Sequence, residues 1–210
     1  MQATAILFSE MVPDPTWEAR FNVWYDEEHI PDRMCLPHFI GVQRYRTGEG
    51  TYLVIYDMDG LKALKTPGYD KIKNQPSERT QWMLDSVAGF TRNLGTVLTQ
   101  AGDLAEVMDR PHHLCATLLD ISPDGQDAFD TWVQDMHLPE LVGSCGALAA
   151  RSFALAVAEP EPFTRLVLAY LPIGSGPIEP ARRYCDEGAK TFFRSYETWG
   201  ERVRGQGIKT

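Results

Sequence analysis

An internal repeat is the feature of this sequence that most restricts the fold of the chain. Residues 14–31 align with residues 122–139 at an offset of 108 residues, and rare residue types recur at the same spacing. The matched pairs are Pro15 and Pro123, Phe21 and Phe129, Trp24 and Trp132, His29 and His137, and Pro31 and Pro139. A chance likeness between two amphipathic helices would explain the apolar pairs but not the His-x-Pro endings. We therefore predict an internal duplication.

The two halves contain the same order of predicted elements. An apolar run, at 4–12 and again at 113–121, is typical of a strand that is covered on both faces. A capping residue and a proline then start a helix, and we expect Pro31 and Pro139 to end it, because the residue before a proline avoids helical geometry. Two β-rich runs, a helical segment and a last strand follow. The β-rich runs are 39–47 and 51–58 in one half and 147–157 and 164–171 in the other, and the halves end with 88–99 and 191–199.

This order is βαββαβ twice, so the predicted fold class is α+β with two tandem ferredoxin-like repeats. Helices cover only one face of each sheet, and the open faces need a cover. We therefore expect the two sheets to meet face to face within one chain. The predicted domains are residues 1–100 and 113–205, joined by a polar linker at 101–112.

The charge balance favours a small organic ligand over a macromolecular one. The chain has 20 Lys and Arg against 29 Asp and Glu, a formal charge of −9, so we expect no nucleic-acid partner and no membrane partner. The sequence has no apolar run of about 18 residues, and no basic region precedes the first apolar run, as it would in a signal peptide. The cysteines stand singly, without metal-ligand spacing. These features predict a cytoplasmic protein with a small-molecule substrate, and they allow a homo-oligomer.

A short motif resembles a known family. The residues F-x-x-W-Y-x-x-E-H-I-P of 21–31, followed by Pro37, Phe39, Gly41 and the Arg-Tyr-Arg of 44–46, resemble the EthD-like branch of the dimeric α+β barrel superfamily. The resemblance spans most of both halves and implies ferredoxin-like repeats that pair sheet to sheet as an intramolecular dimeric α+β barrel. Relatives include muconolactone-type isomerases, polyketide cyclases, small monooxygenases and haem-binding enzymes, so the fold alone does not fix a function.

The resemblance also implies a role for one histidine. In the isomerase-like members the histidine that ends the helix lines the pocket and acts in proton transfer, which implies the same for His29. The second half matches less well, because Val133 and Met136 replace Tyr25 and Glu28.

The candidate catalytic residues are His29, Glu28 and Tyr25. His29 lies at the edge of the apolar stripe, in the last helical turn, where the helix dipole favours imidazolium and would move its pKa toward physiological pH. That setting suits a general base or acid, and the alternative is a structural histidine that caps the helix. Glu28 within the stripe needs a partner or a wet cavity, unless the helix end turns toward solvent. Tyr25 shares the face of His29 and either contacts substrate or packs.

The candidate substrate-binding residues are Arg44, Tyr56, Trp24 and His137. Strict alternation places Arg44 on one strand face with Ile40 and Val42, and Phe39 with Tyr45 on the other. An inward arginine would stabilise an enolate or a carboxylate, whereas an outward one is solvated. Tyr56 is expected at the core or the rim of the pocket, and Trp24 in the core beside it. For His137 the pattern favours a structural role over a ligand contact.

These residues predict a cofactor-independent isomerase, cyclase or lyase without a metal site, which moves protons on a small carbonyl-containing or aromatic metabolite inside a sheet-lined pocket. Two alternatives remain. One is a haem-dependent or oxygen-using member of the superfamily, with His29 or His137 as the axial ligand of a haem. The other is a non-catalytic small-molecule-binding accessory protein.

The halves are further predicted to differ in role, with the working site in the first half. Residues 60–87 of that half are interrupted by Pro67-Gly68 and Pro76 and are expected to form a lid. The counterpart at 174–190 is shorter.

Overall fold

The strands of this chain are apolar runs separated by turns and helices, and they cover almost its whole length. The computed structural model describes residues 3–108, 110–178 and 189–205. The strands are β1 (Ala5–Met11), β2 (Phe39–Arg46), β3 (Tyr52–Met58), β4 (Arg92–Gly102), β5 (His113–Asp120), β6 (Ala149–Glu159), β7 (Arg165–Leu171) and β8 (Lys190–Arg204). Every residue of β1, β3 and β7 is buried, as expected for strands that are covered on both faces.

The strands form one closed barrel in the order β1-β3-β2-β8-β5-β7-β6-β4, with β4 returning to β1. All the pairings are antiparallel. Two of them join the halves of the chain: β8 pairs with β2, and β6 pairs with β4 along the full length of both strands. Closure leaves no free strand edge in the barrel.

The prediction of two tandem ferredoxin-like repeats that pair sheet to sheet as an intramolecular dimeric α+β barrel is wrong. The chain forms a single continuous sheet that closes on itself, instead of two separate sheets in face-to-face contact. The physical reason lies at the sheet edges, where the backbone groups of β2 and β4 bond to β8 and β6. The domain boundaries at 101–112 stay a prediction.

Side chains from both halves fill the barrel interior. Aromatic and aliphatic groups of β1, β2, β3, β5, β6, β7 and β8 make one contiguous cluster there, including Phe8, Tyr45, Ile55, Phe153 and Leu168. Two further clusters lie between the outside of the barrel and the helices of each half. The helices therefore form an outer layer on the barrel.

The helical layer of the first half consists of α1 (Glu18–Trp24), α2 (Ile30–Met34), α3 (Pro67–Asn74) and α4 (Glu78–Ser86). After the short α5 (Leu104–Met108), the second half contributes α6 (Gln126–Trp132) and α7 (Leu138–Gly143). Residues 179–188 of the predicted counterpart to the lid lie outside the described residues.

A π-helical turn follows the first helix in each half. Tyr25–His29 joins α1 to α2, and Val133–His137 joins α6 to α7. The expectation that Pro31 and Pro139 end these helices is wrong. Each proline lies in the first turn of the next α-helix, where a residue without an N–H is tolerated. The histidines therefore lie inside a continuous helical path, at a widened turn.

A bulge in β2 changes which side chains share a face. The pairing with β3 shifts between Phe39 and Gly41, which turns Phe39 toward the helices while Tyr45 faces the barrel interior. The expectation that Phe39 and Tyr45 share a face is therefore wrong, because one extra residue reverses the alternation.

Candidate active site

A cavity of about 520 Å³ lies outside the barrel, between the sheet and the helices of the first half. Strands β1, β3, β4 and the end of β6 form its floor, and α2, α3 and α4 form its walls. Its polar lining includes His29, Arg33, Tyr56, Tyr69, Lys73 and Arg92. The expected pocket therefore exists beside the predicted histidine, and one wall comes from residues 60–87, where a lid was predicted.

A larger cavity of about 700 Å³ opens at one end of the barrel. It is lined by Asp57 and Arg202, whose side chains pair at 2.6 Å, and by none of the predicted site residues. Because its arginine already has a carboxylate partner, this cavity offers less for chemistry than the one beside His29.

His29 is buried, with 5% of its surface exposed. Its ring packs between Trp24 and Tyr25, with centroid separations of 4.3 and 4.7 Å. The Nδ1 atom has no hydrogen-bond partner, and no described residue bonds to the other ring nitrogen. Part of the imidazole's polar surface is therefore available to a ligand in the cavity.

The pKa of His29 lies well below its ordinary value of 6.5. Burial is the largest cause, and the positive charges of Arg33 and Arg44 lower the pKa further. The expectation that the helix dipole would move this pKa toward physiological pH is wrong, because the loss of solvent outweighs the dipole. At neutral pH the ring is therefore uncharged.

Tyr56 lies on the cavity floor beside His29, and none of its surface is exposed. Its hydroxyl has no hydrogen-bond partner, although a buried hydroxyl normally has one. Burial raises the pKa of this phenol, so the O–H stays protonated. The residue thus keeps an unused hydrogen-bond donor at the cavity wall.

Tyr25 and Trp24 pack behind His29 and do not line the cavity. The Tyr25 hydroxyl donates to Met11 Sδ at 3.4 Å, and burial raises the pKa of that phenol to about 12. The Trp24 indole Nε1 donates to Thr80 Oγ1 at 2.9 Å. Both residues hold the imidazole in place, and the structure does not bring either into contact with the cavity.

Glu28 lies outside the cavity and bonds to the start of α4. Its carboxylate accepts hydrogen bonds from Ser77 Oγ and, at 2.5 Å, from Thr80 Oγ1. Ser77 is also the N-cap of α4 and accepts from the Thr80 N–H at 3.0 Å. Glu28 therefore fastens the helix that forms one wall of the cavity, which suits a positioning role.

Arg44 and His137 are also away from this cavity. Arg44 lies over the Tyr25 ring, 4.4 Å from its centroid, and donates to Asp26 Oδ1 at 3.1 Å and to Asn22. His137 lies on the π turn of the second half, stacked on Trp132 at 4.4 Å, and burial lowers its pKa to about 4. The structure thus brings only His29 and Tyr56 of the predicted residues into the cavity.

Seven polar or charged lining residues are absent from the predicted set: Ser9, Arg33, Tyr69, Lys73, Thr80, Arg92 and Glu159. Arg33 had a signal in the sequence, since it follows His29 by four residues and such residues share a helical face. Tyr69 and Lys73 lie four apart on α3 within residues 60–87. Arg92 begins β4, and nothing in its local sequence indicates a site.

The described residues contain no group of three or more His, Cys, Asp or Glu side chains placed to hold a metal ion. Among the same residues, no helix has the length and apolar character that crossing a membrane requires.

No model of a known protein family matches the chain, and no curated protein matches it. Solved structures do match over nearly its whole length. An anthrone oxidase-like protein superposes with a TM-score of 0.71 at 10% identity, covering 99% of this chain and 96% of the other. A protein of Fusobacterium nucleatum subsp. nucleatum named as a monooxygenase gives 0.62 at 12% identity, with 99% and 97% covered. Another so named, from Lactobacillus acidophilus NCFM, gives 0.52 at 8%, with 93% of each chain covered.

The resemblance to the EthD-like branch and the internal duplication stay predictions. At such low identities the likeness concerns the fold. The closed barrel with its outer helices is thus a fold that this chain shares with proteins named as oxidase-like and as monooxygenases.

Proposed function

We propose that this chain is an oxygen-using enzyme that oxidises a small aromatic or carbonyl-activated metabolite in the cavity beside His29, without a cofactor. The observation that carries the proposal is a buried, uncharged imidazole and a buried, unpartnered Tyr56 hydroxyl that line one cavity. The names of the structural neighbours point to oxygen chemistry. Nothing in the comparisons supports the isomerase, cyclase or lyase expected from the sequence, so the oxygen-using alternative is preferred.

The proposed reaction starts with proton removal from an activated CH₂ group that is conjugated with a carbonyl through an aromatic ring. The neutral His29 ring accepts the proton, and the Tyr56 O–H donates a hydrogen bond to the enolate oxygen that forms. The electron-rich carbanion then reduces O₂, and a carbon–oxygen bond forms. Loss of water from the resulting hydroperoxide gives a carbonyl, so one oxygen atom stays in the product and the other leaves as water. The substrate supplies all the electrons, and no external reductant is needed.

The experiment uses anthrone, because that compound appears in the name of one neighbour and carries such a CH₂ group. Oxygen uptake is followed with an electrode and anthraquinone formation by absorbance, both corrected for spontaneous oxidation. The proposal expects an enzyme-dependent rate with one O₂ consumed per anthraquinone. No rate above the uncatalysed one, for anthrone and for related hydroxylated anthrones, would contradict it. A Soret band in the purified protein would favour the haem-dependent alternative.

We also infer that the halves arose by internal duplication and that the chain belongs near the EthD-like branch. The support is the recurrence of a π turn ending in histidine, at Tyr25–His29 and Val133–His137, at the offset of the sequence repeat. π-helical turns are uncommon, so their recurrence at matching positions favours descent from one unit. A family alignment that matched each half separately to the same sequence profile would test this inference.

A further inference from the structure

Three cationic side chains line the His29 cavity without a carboxylate partner. Arg33, Lys73 and Arg92 form no ion pair with any residue that the structure describes. The one acidic residue among the lining residues is Glu159, at the far end of β6. The cavity is therefore rich in positive charge, although the chain as a whole carries a formal charge of −9.

Most arginines elsewhere in this fold differ from these in having an acidic partner. Most of those that contact the barrel or the helical layer pair with an aspartate or a glutamate. Examples are Arg44, Arg46, Arg151, Arg165, Arg194 and Arg202, with N to O distances from 2.5 to 3.1 Å. The exposed Arg20 of α1 instead lies over the Trp82 ring. Unpaired arginines at the cavity thus depart from the pattern of the molecule, and a bound anion would restore it.

The Arg33 side chain is held in place by contacts with His29 and Tyr56. Its Nη1 donates to the His29 carbonyl oxygen at 2.9 Å, and its guanidinium lies over the Tyr56 ring at 5.9 Å from the centroid. Its Nε is buried and has no hydrogen-bond partner. The guanidinium is therefore oriented next to the proposed reacting groups while one donor remains unused.

Arg92 approaches from the floor of the cavity. It begins β4 and lies opposite Glu159 in the β4–β6 register, yet these two side chains form no ion pair. The walls between the cations are apolar or aromatic and include Leu7, Val54, Tyr69, Phe90 and Leu94. Such a lining suits a flat ring system with one charged substituent.

We infer that the substrate of this cavity is an aromatic carboxylate, whose carboxylate group is bound by Arg33 and Arg92 while its rings lie against Tyr56 and Tyr69. This inference rests on the proposed function, since it takes the cavity as the substrate site. A guanidinium binds a planar carboxylate through two parallel N–H donors, which gives orientation as well as affinity. Lys73, at the exposed mouth, attracts the anion as a point charge.

The test measures binding in the absence of oxygen, so that it does not depend on turnover. Anthracene-2-carboxylate and its uncharged carboxamide are titrated under argon into the purified protein, with ligand fluorescence as the signal. The carboxylate is expected to bind at least tenfold more tightly than the carboxamide. In Arg33→Gln and in Arg92→Gln this preference should fall about tenfold, because each variant removes one of the two guanidinium groups that bind the carboxylate.

Two variants act as controls. Arg46→Gln removes an arginine that pairs with Glu18 at 2.8 Å, away from the cavity, and should leave the preference unchanged. Glu159→Gln removes the carboxylate that lines the cavity and should tighten carboxylate binding several-fold. Equal affinities for the two ligands, or an unchanged preference in the double variant of Arg33 and Arg92, would overturn the inference.

The outcomes separate this inference from the proposed function. Oxidation of anthrone without any carboxylate preference would leave the oxygen chemistry standing and overturn the anion site. Carboxylate-selective binding that depends on Arg33 and Arg92, with no oxygen uptake on any anthrone or anthrone carboxylate, would support the anion site and contradict the oxygen chemistry.

Discussion

The rings of His29 and Tyr56 lie 6.5 Å apart, centroid to centroid, and both residues line one cavity. His29 comes from the π turn after α1, and Tyr56 comes from β3. Both are buried, and each keeps a polar atom without a partner. Buried unpartnered groups cost stability, and a ligand that bonds to both residues would remove that cost.

Removal of the Tyr56 hydroxyl should lower the oxidation rate without lowering the stability of the fold. Because that hydroxyl has no partner, Tyr56→Phe is expected to leave the free energy of unfolding unchanged or to raise it by about 1 kcal/mol. The rate of substrate oxidation should fall about tenfold to a hundredfold, since a donor to the enolate is lost. Urea unfolding and oxygen uptake measure the two effects.

Tyr25→Phe is the matched control for that variant. Tyr25 packs against the same histidine but bonds to Met11 and does not line the cavity. Loss of the Tyr25 hydroxyl should change the oxidation rate by no more than about twofold. A larger effect at Tyr25 than at Tyr56 would contradict the assignment of the donor.

Stability should depend on pH through the buried histidines. The pKa of His137 is lowered by burial from 6.5 to about 4, and that of His29 is also lowered. The unfolded chain therefore binds protons that the folded chain does not, and stability is lost as the pH falls from about 6.5 toward 4. His137→Gln should make the melting temperature less dependent on pH over that range. An unchanged pH dependence in this variant would show that other groups control the loss of stability.

The carboxylate of Glu28 should hold α4 in place. It accepts from Ser77 and Thr80, and the Thr80 hydroxyl in turn accepts from Trp24. We expect Glu28→Ala to lower the free energy of unfolding by about 1–3 kcal/mol, because the hydroxyl donors lose a charged acceptor. Hydrogen exchange should show faster opening of α4 (Glu78–Ser86).

Glu27→Ala, at the residue next to Glu28, is the control for the effect of Glu28→Ala on stability. Glu27 pairs with Arg79 at 3.1 Å, but 64% of its side chain is exposed, so its loss should change stability by less than about 1 kcal/mol. Equal effects of the two variants would contradict the specific role of Glu28.

Local sequence patterns predicted the elements better than their assembly. The strand bounds of β2, β3 and β7 agree with the apolar runs to within a residue or two, because alternation and turn residues are local signals. The pairing of β8 with β2 joins residues about 150 positions apart, such as Arg44 and Trp199, and no local pattern encodes that register. The bulge at Phe39 likewise follows from the pairing with β3.

The site was predicted in part for the same reason. The end of an apolar helical stripe indicates His29 as a site residue, and the cavity lies beside it. The direction of its pKa shift follows from burial, which depends on neighbours from β3 and α2 that a helical wheel does not include. Arg92 reaches the cavity only because β4 pairs with β1. Such long-range contacts determine which polar residues meet.

The most direct test of the account is anthrone oxidation under ¹⁸O₂, with wild-type protein and the His29→Gln variant compared at equal concentration. The account predicts one labelled oxygen atom in the new carbonyl group of the wild-type product, read at short times before exchange with water. It predicts an enzyme-dependent rate about 10²–10⁴-fold lower in the variant, because the base is lost, while the circular dichroism spectrum stays that of a folded protein. A folded variant with the wild-type rate, or a carbonyl oxygen that comes from water, would contradict it.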